Sequence, residues 1–366
     1  MKRVRYDKVL ALLLVVLVLG GALLFASAAF GLLARGADHM TSVAFNHLVL
    51  GVGVGIVCLL IATQIDYRAL RKYAPHLFVL SLIATAAVFI PQLGFEHGGG
   101  RRWLSIFGFT VQPAEALKLG AILIAASYFA LIRTKIEDIR YGLGGLLAIL
   151  ALPAAILIAQ PDMGTLGVIV LSVLGVFFAA GARWRDLFVM VALGITAIAI
   201  LAMLRPYVLD RITVFFDPSH APQTSGYQIQ QSLIAIGSGG FFGRGFGQGV
   251  QKFTYLPEPM GDSIFAVAGE ELGFVGGVTI IGLFLAFALR GFSIAARAPD
   301  PFGALLAIGI SVYLVSEAFI NIAAMLGIAP LTGIPLTFVS QGGTAMLVAL
   351  ASAGILLNIS RHSPRG

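Results

Sequence analysis

Residues 9–33 read VLALLLVVLVLGGALLFASAAFGLL, a run of 25 positions without a charged side chain. An α-helix rises about 1.5 Å per residue, so this run can cross a hydrocarbon core of about 30 Å. Basic residues precede it, and Ala26-Ser27-Ala28 resembles a signal-peptidase site. The apolar part of a secretory signal is, however, only about 7–15 residues long. The run therefore predicts an uncleaved first transmembrane helix.

Nine further apolar stretches of about spanning length follow, at residues 46–64, 76–94, 114–132, 142–160, 164–181, 187–205, 263–289, 303–327 and 337–359. The chain is 58% hydrophobic and only 11% charged, whereas about a quarter of the residues in a soluble domain are charged. No segment is left for a sizeable soluble core. The sequence predicts an all-α polytopic membrane protein, in which residues 1–366 form one transmembrane domain of about ten helices.

The connectors between these stretches alternate in charge. One set is short and basic, whereas the short connectors of the other set hold only Arg35, Arg101 and Arg102. Because basic connectors stay in the cytoplasm, both termini are predicted to be cytoplasmic. Residues 206–262 then form a large extracytoplasmic loop between the seventh and eighth spans. The net charge of +7 is scattered over connectors rather than clustered, so it reports topology and not a nucleic-acid site.

The predicted outer loop is too long to be a simple connector, and such loops are usually functional. Residues 228–236 (QIQQSLIAI) are amphipathic and suit a helix lying in the membrane interface. The glycine-rich stretch 237–249 (GSGGFFGRGFGQG) offers main-chain amides to a phosphate, a signal that is weak alone. The stiff segment Leu256-Pro257-Glu258-Pro259 then leads to Asp262.

Ionisable residues inside the predicted spans are costly and are candidates for function. Glu115 and Lys118 are three residues apart and share one helix face, and Glu270 and Glu317 stand within the eighth and ninth spans. Each has a structural alternative. Glu115 and Lys118 would neutralise each other, Glu317 would be protonated, and one of the neighbours Glu270 and Glu271 would anchor helix packing. Asp162, at a sharp outer turn, would cap the sixth helix.

Asp262 stands where the outer loop meets the eighth span. The structural alternative is a helix N-cap, which lowers the pKa of a carboxyl. Positions 262, 266 and 270 also form an i, i+4, i+8 stripe, so that Asp262 and Glu270 are predicted to share one face of a polar cavity. Burial beside a second carboxylate would raise the pKa of Asp262 towards that of a useful general base. The sequence leaves these two effects undecided.

Five basic side chains are predicted to face outward, where the positive-inside rule disfavours them. They are Arg101, Arg102, Arg211, Arg244 and Lys252. Their presence suggests an anionic ligand on the outer face. The alternative for each is an ordinary solvated loop charge.

Several motifs, in order along the chain, resemble the SEDS family of FtsW, RodA and SpoVE. They are Gly100-Arg101-Arg102-Trp103, Gln112-Pro113-Ala114-Glu115 with Lys118, Gln160-Pro161-Asp162-Met163-Gly164-Thr165, Gly226-Tyr227-Gln228, Leu256-Pro257-Glu258 with Asp262, Glu270-Glu271-Leu272-Gly273, and Pro330-Leu331-Thr332-Gly333-Ile334-Pro335-Leu336 with Ser340. The resemblance runs from the first span to the last. The Leu256 to Pro259 segment favours the FtsW/SpoVE branch over RodA.

The resemblance implies a peptidoglycan glycosyltransferase of the bacterial cytoplasmic membrane. Such enzymes polymerise lipid II, a disaccharide-pentapeptide on undecaprenyl pyrophosphate, into glycan strands at the outer face, for cell division or cell shape. They work with a class B penicillin-binding protein, which cross-links the strands, and with other membrane proteins of the divisome or elongasome. The family's essential loop aspartate falls on Asp262, and its fourth-helix acidic and basic residues fall on Glu115 and Lys118.

These implications agree with the chemistry of the residues. Asp262 is the predicted general base, which takes the proton from the acceptor sugar's 4-hydroxyl, while nearby cations offset charge on the departing pyrophosphate. The predicted substrate-binding residues are Arg101, Arg102, Gln112, Glu115, Lys118, Lys252, Glu270 and Ser340. An apolar groove between spans is expected to hold the polyprenyl tails, and the outer loop the growing glycan.

A divalent cation, Mg²⁺ or Mn²⁺, is a candidate cofactor at the pyrophosphate, but its ligands are unknown. Cys58 is the only cysteine and lies in an apolar stretch, which excludes cysteine-based metal sites and internal disulfides. No nucleotide site is needed, because the pyrophosphate already activates the donor sugar.

Two other functions stay open. A transporter that flips lipid-linked precursors would use the intramembrane charges, and paired discontinuous helices or an inverted repeat would favour it. A non-catalytic scaffold would only recruit partners, and Asp262 would then be dispensable. Three departures from the family pattern affect contacts near Asp262: Met260-Gly261 where His-Thr is frequent, Gln341 where tyrosine is usual, and Glu317 where glutamine is common.

Overall fold

The structure, a computed structural model, describes residues 6–34, 45–97, 100–106, 109–218 and 225–363. Within these ranges nine helices are long and apolar enough to cross a membrane, and Met163–Ala179 is a shorter apolar helix of 17 residues. Each of the ten predicted stretches overlaps one of these helices. The helical membrane-protein class is confirmed, whereas the span count, the sidedness and the loop boundaries stay predictions.

The described residues of the first half form seven apolar helices. They are α1 (Lys8–Ala34), a second helix that begins with a π-helical segment (Asn46–Val54) and continues as α2 (Gly55–Gln64), α3 (Tyr67–Ala86, followed by a 3₁₀ turn at Ala87–Phe89), α4 (Pro113–Leu131, with a 3₁₀ turn after it at Arg133–Lys135), α5 (Gly142–Ala159), α6 (Met163–Ala179) and α7 (Trp184–Leu204).

The described residues of the second half form three short helices, within the predicted outer loop, and three long apolar ones. They are α8 (Pro206–Phe216), α9 (Ser225–Ser238), α10 (Gln251–Thr254), α11 (Ile264–Ala296), α12 (Pro301–Met325) and α13 (Gly343–His362).

A small antiparallel sheet lies between α3 and α4, and the sequence analysis did not predict it. Its strands are β1 (Gly94–His97), β2 (Gly100–Ile106) and β3 (Phe109–Val111), in the order β1-β2-β3. Its register pairs Phe95 with Trp103, and Leu104 with Val111. Arg101 and Arg102 are neighbours on β2, so the hydrogen bonds of the sheet fix their main chain.

Local sequence explains where several helices begin. The Asp66 side chain accepts a hydrogen bond from the Arg68 amide, so α3 begins nine residues before the predicted span. Proline at the first turn starts α4, α8 and α12. The last helix begins only at Gly343, because residues 337–342 form a loop instead of the predicted helical turn.

The helices α12 and α13 form the centre of the bundle, since 67% of the most apolar window of each is buried inside the protein. By contrast, only 6% of the corresponding window of α7 is buried, so that helix lies at the periphery. The outer loop and the residues 326–342 pack over one end of this bundle.

The long helix α11 is broken at Gly273, whose φ of 68° lies in the left-handed region. The amides of Arg244 and Gly245 donate to the carbonyls of Glu270 and Glu271, at 3.0 Å each. The amide of Phe274 donates in turn to the Gly240 carbonyl at 2.9 Å. The glycine-rich stretch therefore satisfies the backbone groups that the break leaves without helical partners.

Some predicted features lie outside the described residues. They are the basic residues Lys2, Arg3 and Arg5 at the amino terminus, Arg35, Arg365 and residues 219–224 of the outer loop.

Candidate active site

Asp262 lies in the turn that precedes α11 and is not its N-cap, because the N-cap residue is Ser263. The Asn321 side chain on α12 donates from Nδ2 to the Asp262 carbonyl at 2.8 Å and to the Ile334 carbonyl at 2.8 Å. Gly333 has a φ of 71°, and a Cβ atom there would lie 3.6 Å from Asp262 Oδ2. Two loops and a central helix thus position the carboxyl.

The surroundings of Asp262 make it a better base than an ordinary aspartate. Burial raises the pKa of its carboxyl to about 6, and the negative charge of Glu258 adds to the rise, whereas Arg211 and Arg102 oppose it. A carboxyl with this pKa is ionised at neutral pH and still accepts a proton readily. The second carboxylate that acts on Asp262 is therefore Glu258, and not Glu270 as the helical stripe predicted. The stripe does not apply because the helix begins only at Ile264.

Arg102 approaches the site from the sheet. Its guanidinium donates to the Pro161 carbonyl at 2.5 Å and to the Gln160 carbonyl at 3.4 Å. Successive residues of a strand project to opposite faces, so its neighbour Arg101 faces the other way and is exposed. The sequence treated the two arginines alike, whereas the structure brings only Arg102 towards Asp262.

Arg211, on α8, is the second cation of the site. Its guanidinium donates to the Thr332 carbonyl at 3.3 Å. Burial lowers its pKa, the positive charge of Arg102 lowers it further, and Asp162 and Asp262 act in the opposite direction. The sequence identified Arg211 as an outward cation but not as a site residue, because nothing in its spacing indicates that α8 folds back towards Asp262.

In the part of the chain that the structure describes, Arg102 and Arg211 are both held without a carboxylate to neutralise their charge. Across the described ranges, neither takes part in a salt bridge with a carboxylate. Main-chain carbonyls hold both guanidiniums instead, and the two cations repel each other. Two such cations beside a reactive carboxyl suit a bound anion with several oxygens.

Gln112 and Asp162 complete this side of the site. The Asp162 side chain accepts from the Thr165 amide at 3.1 Å, so it caps α6 as its structural alternative predicted. The Gln112 amide side chain donates to the other Asp162 oxygen at 3.4 Å. The structure therefore places Gln112 in the same neighbourhood as Arg102, on the rim of the site.

Glu115 and Lys118 lie deeper, inside the bundle. Lys118 Nζ is 2.7 Å from Glu115 Oε2 and 2.7 Å from Glu317 Oε1, and each of these side chains is about 98% buried. The ring of Tyr313 lies 5.1 Å from the ammonium group. The charges of this buried cluster are used among themselves, which favours a structural role. A substrate contact for Glu115 or Lys118 stays a prediction.

Lys252 and Glu270 also have internal partners. Lys252 Nζ donates to Ser27 Oγ on α1 at 2.8 Å and forms a buried salt bridge with Glu271. Glu270 accepts from the amides of Val250, at 2.8 Å, and Gln251, at 3.1 Å. These contacts attach the outer loop to α1 and α11.

Ser340 is a positioning residue in this structure. Its hydroxyl donates to the Gly261 carbonyl at 2.7 Å and accepts from the Leu336 amide at 2.7 Å. The neighbouring Gln341 amide donates to the Met260 carbonyl at 2.7 Å. Both contacts hold the segment just before Asp262. A direct substrate contact for Lys252, Glu270 or Ser340 stays a prediction, as it does for Arg101.

The residues of the site do not fit a cation held by the protein alone. Among the residues that the structure describes, no three His, Cys, Asp or Glu side chains converge as metal ligands. The Mg²⁺ or Mn²⁺ suggested by the pyrophosphate therefore stays a prediction, to be tested by chelation.

Comparison with known proteins relates the whole chain to one family. The model of a family of cell cycle proteins, FtsW/RodA/SpoVE, matches residues 7–365. The chain is 38% identical over 315 residues to the stage V sporulation protein E of Bacillus subtilis, covering 86% of each chain. It is 36% identical over 361 residues to a probable peptidoglycan glycosyltransferase FtsW of a Geobacter species, covering 98% of each.

Solved structures show the same fold. A chain of a peptidoglycan synthase complex, in a study of coordinated polymerization and crosslinking, superposes with a TM-score of 0.79 at 26% identity, covering 99% of both chains. The rod shape determining protein RodA of Thermus thermophilus superposes with a TM-score of 0.70 at 26% identity, covering 99% of this chain and 98% of that one. Since the family model covers nearly the whole chain and the two relatives match 86% and 98% of it, the chain belongs to the FtsW/RodA/SpoVE family.

Proposed function

We propose that this protein, embedded in the bacterial cytoplasmic membrane, is a peptidoglycan glycosyltransferase that polymerises lipid II into glycan strands at the outer face. The observation that carries the proposal is the side-by-side position of a carboxyl with a raised pKa, Asp262, and two arginines without carboxylate partners, Arg102 and Arg211. A base next to a paired cation site is what the transfer of a sugar from a pyrophosphate requires.

The reaction joins an acceptor hydroxyl to an activated sugar. The 4-hydroxyl oxygen of the acceptor attacks the anomeric carbon of the donor, and the bond from that carbon to the pyrophosphate oxygen breaks with its electron pair. Asp262 takes the hydroxyl proton, which removes the positive charge that would develop on the attacking oxygen. Arg102 and Arg211 face the leaving pyrophosphate and stabilise its increasing negative charge.

The fixed position of these groups supports the mechanism. Asp262 is held through its main chain by Asn321, so its carboxylate oxygens are left for the substrate. The guanidinium groups are likewise held by carbonyls that do not neutralise them. Because the donors and the base are oriented before the substrate binds, little reorganisation is needed during the reaction.

We include a class B penicillin-binding protein among the proposed partners, together with other divisome or elongasome membrane proteins. One structural neighbour is part of a complex that couples polymerization with crosslinking. The curated relatives named FtsW and SpoVE favour the division and sporulation branches over the RodA branch. The outer loop would hold the nascent glycan, as its position over the site allows.

The transporter alternative has less support in the contacts. The intramembrane charges that motivated it form closed ion pairs, as for Lys118 with Glu115 and Glu317. The helix break at Gly273 resembles the discontinuous helices of transporters. Here, however, the outer loop satisfies the backbone groups at the break, so they are not available to a substrate.

The test reconstitutes the purified full chain with its penicillin-binding partner in liposomes that contain lipid II. The variant Asp262→Asn keeps the shape of the side chain and removes the base, and Asp210→Asn, an exposed residue of α8, is the matched control. Polymer is expected from the wild type and the control, and a loss of at least about 100-fold from Asp262→Asn. Equal polymer from both variants would contradict the general-base role. Lipid scrambling without polymer would favour the transporter. Full function in cells that carry Asp262→Asn would favour the scaffold.

A further inference from the structure

A groove of about 410 Å³ lies between α1 and α11, away from Asp262. Its two walls are residues 16–24 of α1 and residues 272–283 of α11, and Val339 also lines it. Phe246, from the glycine-rich stretch of the outer loop, contributes to the lining. The groove therefore connects the membrane-spanning part of the protein with the outer loop.

The surface of the groove is almost entirely apolar. Among the described residues of the lining, only Thr279 has a polar side chain, and its hydroxyl already donates to the Val275 carbonyl at 2.7 Å. A surface with no unsatisfied polar group offers nothing to water or to a charged ligand. It suits a hydrocarbon occupant.

The width of the groove suits a single hydrocarbon chain and excludes a helix of a partner protein. Residues 272–283 of a helix span about 16 Å, and the 410 Å³ counts only positions open to the centre of a water molecule, so the channel measures about 8–9 Å between its walls. An α-helix with its side chains is about 10–12 Å in diameter and does not fit. A single hydrocarbon chain does, because carbon atoms in contact are about 3.5–4.0 Å apart.

Aromatic side chains indicate the level of the groove in the membrane. Phe242 and Phe274, beside the break in α11, are 78% and 62% exposed, and Phe241 stacks on Phe274. Exposed phenylalanines beside an amphipathic loop suit insertion at the boundary between headgroups and acyl chains. The groove starts at this level and extends inward by about 16 Å, about half of a hydrocarbon core of about 30 Å.

The distance from Asp262 distinguishes the two lipid substrates. The helix between Ile264 and Leu272 is about 12 Å long, so the α11 wall of the groove begins about that far along the helix that follows Asp262. The donor's chain starts directly at the pyrophosphate that leaves, next to Asp262. The acceptor reacts through the far sugar of its disaccharide, so its chain starts a disaccharide and a pyrophosphate away from Asp262.

A cation stands where the acceptor's pyrophosphate would lie. Arg244 is two residues from Phe246 in the same stretch. Its guanidinium lies 3.7 Å from the Glu270 carboxylate, and its side chain is still 42% exposed, so one side of it faces outward. Its main-chain amide is fixed by the Glu270 carbonyl at 3.0 Å. An anionic headgroup above an apolar chain is therefore complementary to Arg244 above the groove.

We propose that the groove between α1 and α11 binds the polyprenyl chain of the acceptor lipid, with Arg244 facing its pyrophosphate. The inference rests on the proposed function, and it assigns the acceptor and donor to different sites. Arg102 and Arg211 serve the donor, whereas Arg244 and the groove serve the acceptor. The acceptor thereby stays anchored while its far sugar reacts at Asp262.

Glycines allow the groove to be filled without disturbing the fold. A Cβ atom built at Gly20, which lines the groove, meets no atom within 4 Å. The same holds at Gly282, which lies on α11 outside the lining. Gly20→Leu therefore tests the groove, and Gly282→Leu is its matched control.

The experiment measures polymerisation by both variants in liposomes with the penicillin-binding partner. The substrates are undecaprenyl lipid II and an analogue whose chain is a single five-carbon isoprene unit, too short to extend along the groove. Loss of only two buried methylene groups weakens binding about tenfold. We expect Gly20→Leu to lower kcat/KM about tenfold on the long chain and not on the short one, and Gly282→Leu to change neither. Equal activity of Gly20→Leu and the wild type on the undecaprenyl substrate would overturn the proposal. Equal losses on the long and the short lipid chain would also overturn it, because they would indicate a general defect such as loss of the bound penicillin-binding partner.

Photocrosslinking provides a readout that does not require turnover. A diazirine on the undecaprenyl chain of lipid II should label residues 272–283, and a phospholipid carrying the same group should label them much less. Lipid II with a blocked 4-hydroxyl, which can act only as donor, should also label them less. Equal labelling by the phospholipid or by the blocked analogue overturns the acceptor assignment. A labelled groove without polymer from the wild type would instead contradict the proposed function.

Discussion

The side-chain amide of Asn321 donates to the main-chain carbonyl of Asp262 at 2.8 Å. Asn321 lies on the central helix α12, whereas Asp262 lies at the end of the outer loop. The same amide also holds the Ile334 carbonyl, so one side chain joins the two loops that meet at the site. The bundle thus fixes the position of Asp262 without using its carboxylate.

We expect Asn321→Ala to lower kcat by about 10- to 100-fold with little change in KM, because a displacement of about 1 Å of a catalytic group costs about that much. Polymerisation of lipid II at several concentrations measures both constants. Asn358→Ala is the control, since Asn358 also bridges buried main-chain groups but does so near Thr63 and Tyr67. A similar loss of kcat in the control would show that Asn321 acts only through stability.

The rate should depend on pH through Asp262. A general base works only when deprotonated, and burial and Glu258 raise the pKa of this carboxyl to about 6. We therefore expect kcat/KM to rise with pH and level off above about pH 6 to 7. Glu258→Gln removes a negative charge that raises the pKa, so its acidic limb should move to lower pH. An unchanged limb in Glu258→Gln would contradict the assignment of that limb to Asp262.

Three of the outer-face arginines, Arg101, Arg102 and Arg211, should differ in importance. Arg102→Ala and Arg211→Ala remove cations that face the leaving pyrophosphate, and we expect each to lower kcat about 100-fold. Arg101→Ala is a matched control, because Arg101 is the neighbour of Arg102 on β2 and is exposed. Its effect should stay within about threefold, the scale of an exposed charge. Equal losses of kcat for Arg101→Ala and Arg102→Ala would contradict the inference that only Arg102, on the site-facing side of β2, contacts the pyrophosphate.

The sequence predicts the helices well because the bilayer sets their length. Every apolar stretch of spanning length corresponds to an apolar helix, including the short one at Met163–Ala179. The sheet was missed because its strands are only four, seven and three residues long. Such short strands give little periodic signal.

The site was only partly predictable, for a physical reason. Asp262, Arg102 and Gln112 were predicted from motifs, and the structure places them in one neighbourhood. The closeness of Arg211 depends on how α8 packs, which no local spacing encodes. The predicted pairing of Asp262 with Glu270 was wrong because it assumed helical periodicity before the helix begins.

The contacts of Lys252 predict how the outer loop is attached. Lys252→Met keeps much of the side-chain volume, but it leaves the fully buried Glu271 without its cation. Removing one partner of a buried ion pair typically costs about 3–5 kcal/mol. We expect a lower melting temperature and faster proteolysis within residues 237–254. Double replacement Lys252→Met with Glu271→Leu should recover part of the loss, and no recovery would argue against the pair as the main attachment.

The buried cluster of Lys118 gives a prediction that separates structure from substrate binding. Lys118→Met leaves Glu115 and Glu317 uncompensated, and we expect a loss of about 3–5 kcal/mol of stability. Glu317→Gln leaves one carboxylate for the one ammonium group, so it should be tolerated with a change within about 1 kcal/mol. Thermal unfolding in detergent measures both, and polymerisation is assayed below each melting point. If Lys118→Met melts at the same temperature as the wild type but makes no polymer, the lysine acts on the substrate. If its activity falls only in proportion to the loss of folded protein, Lys118 has a structural role.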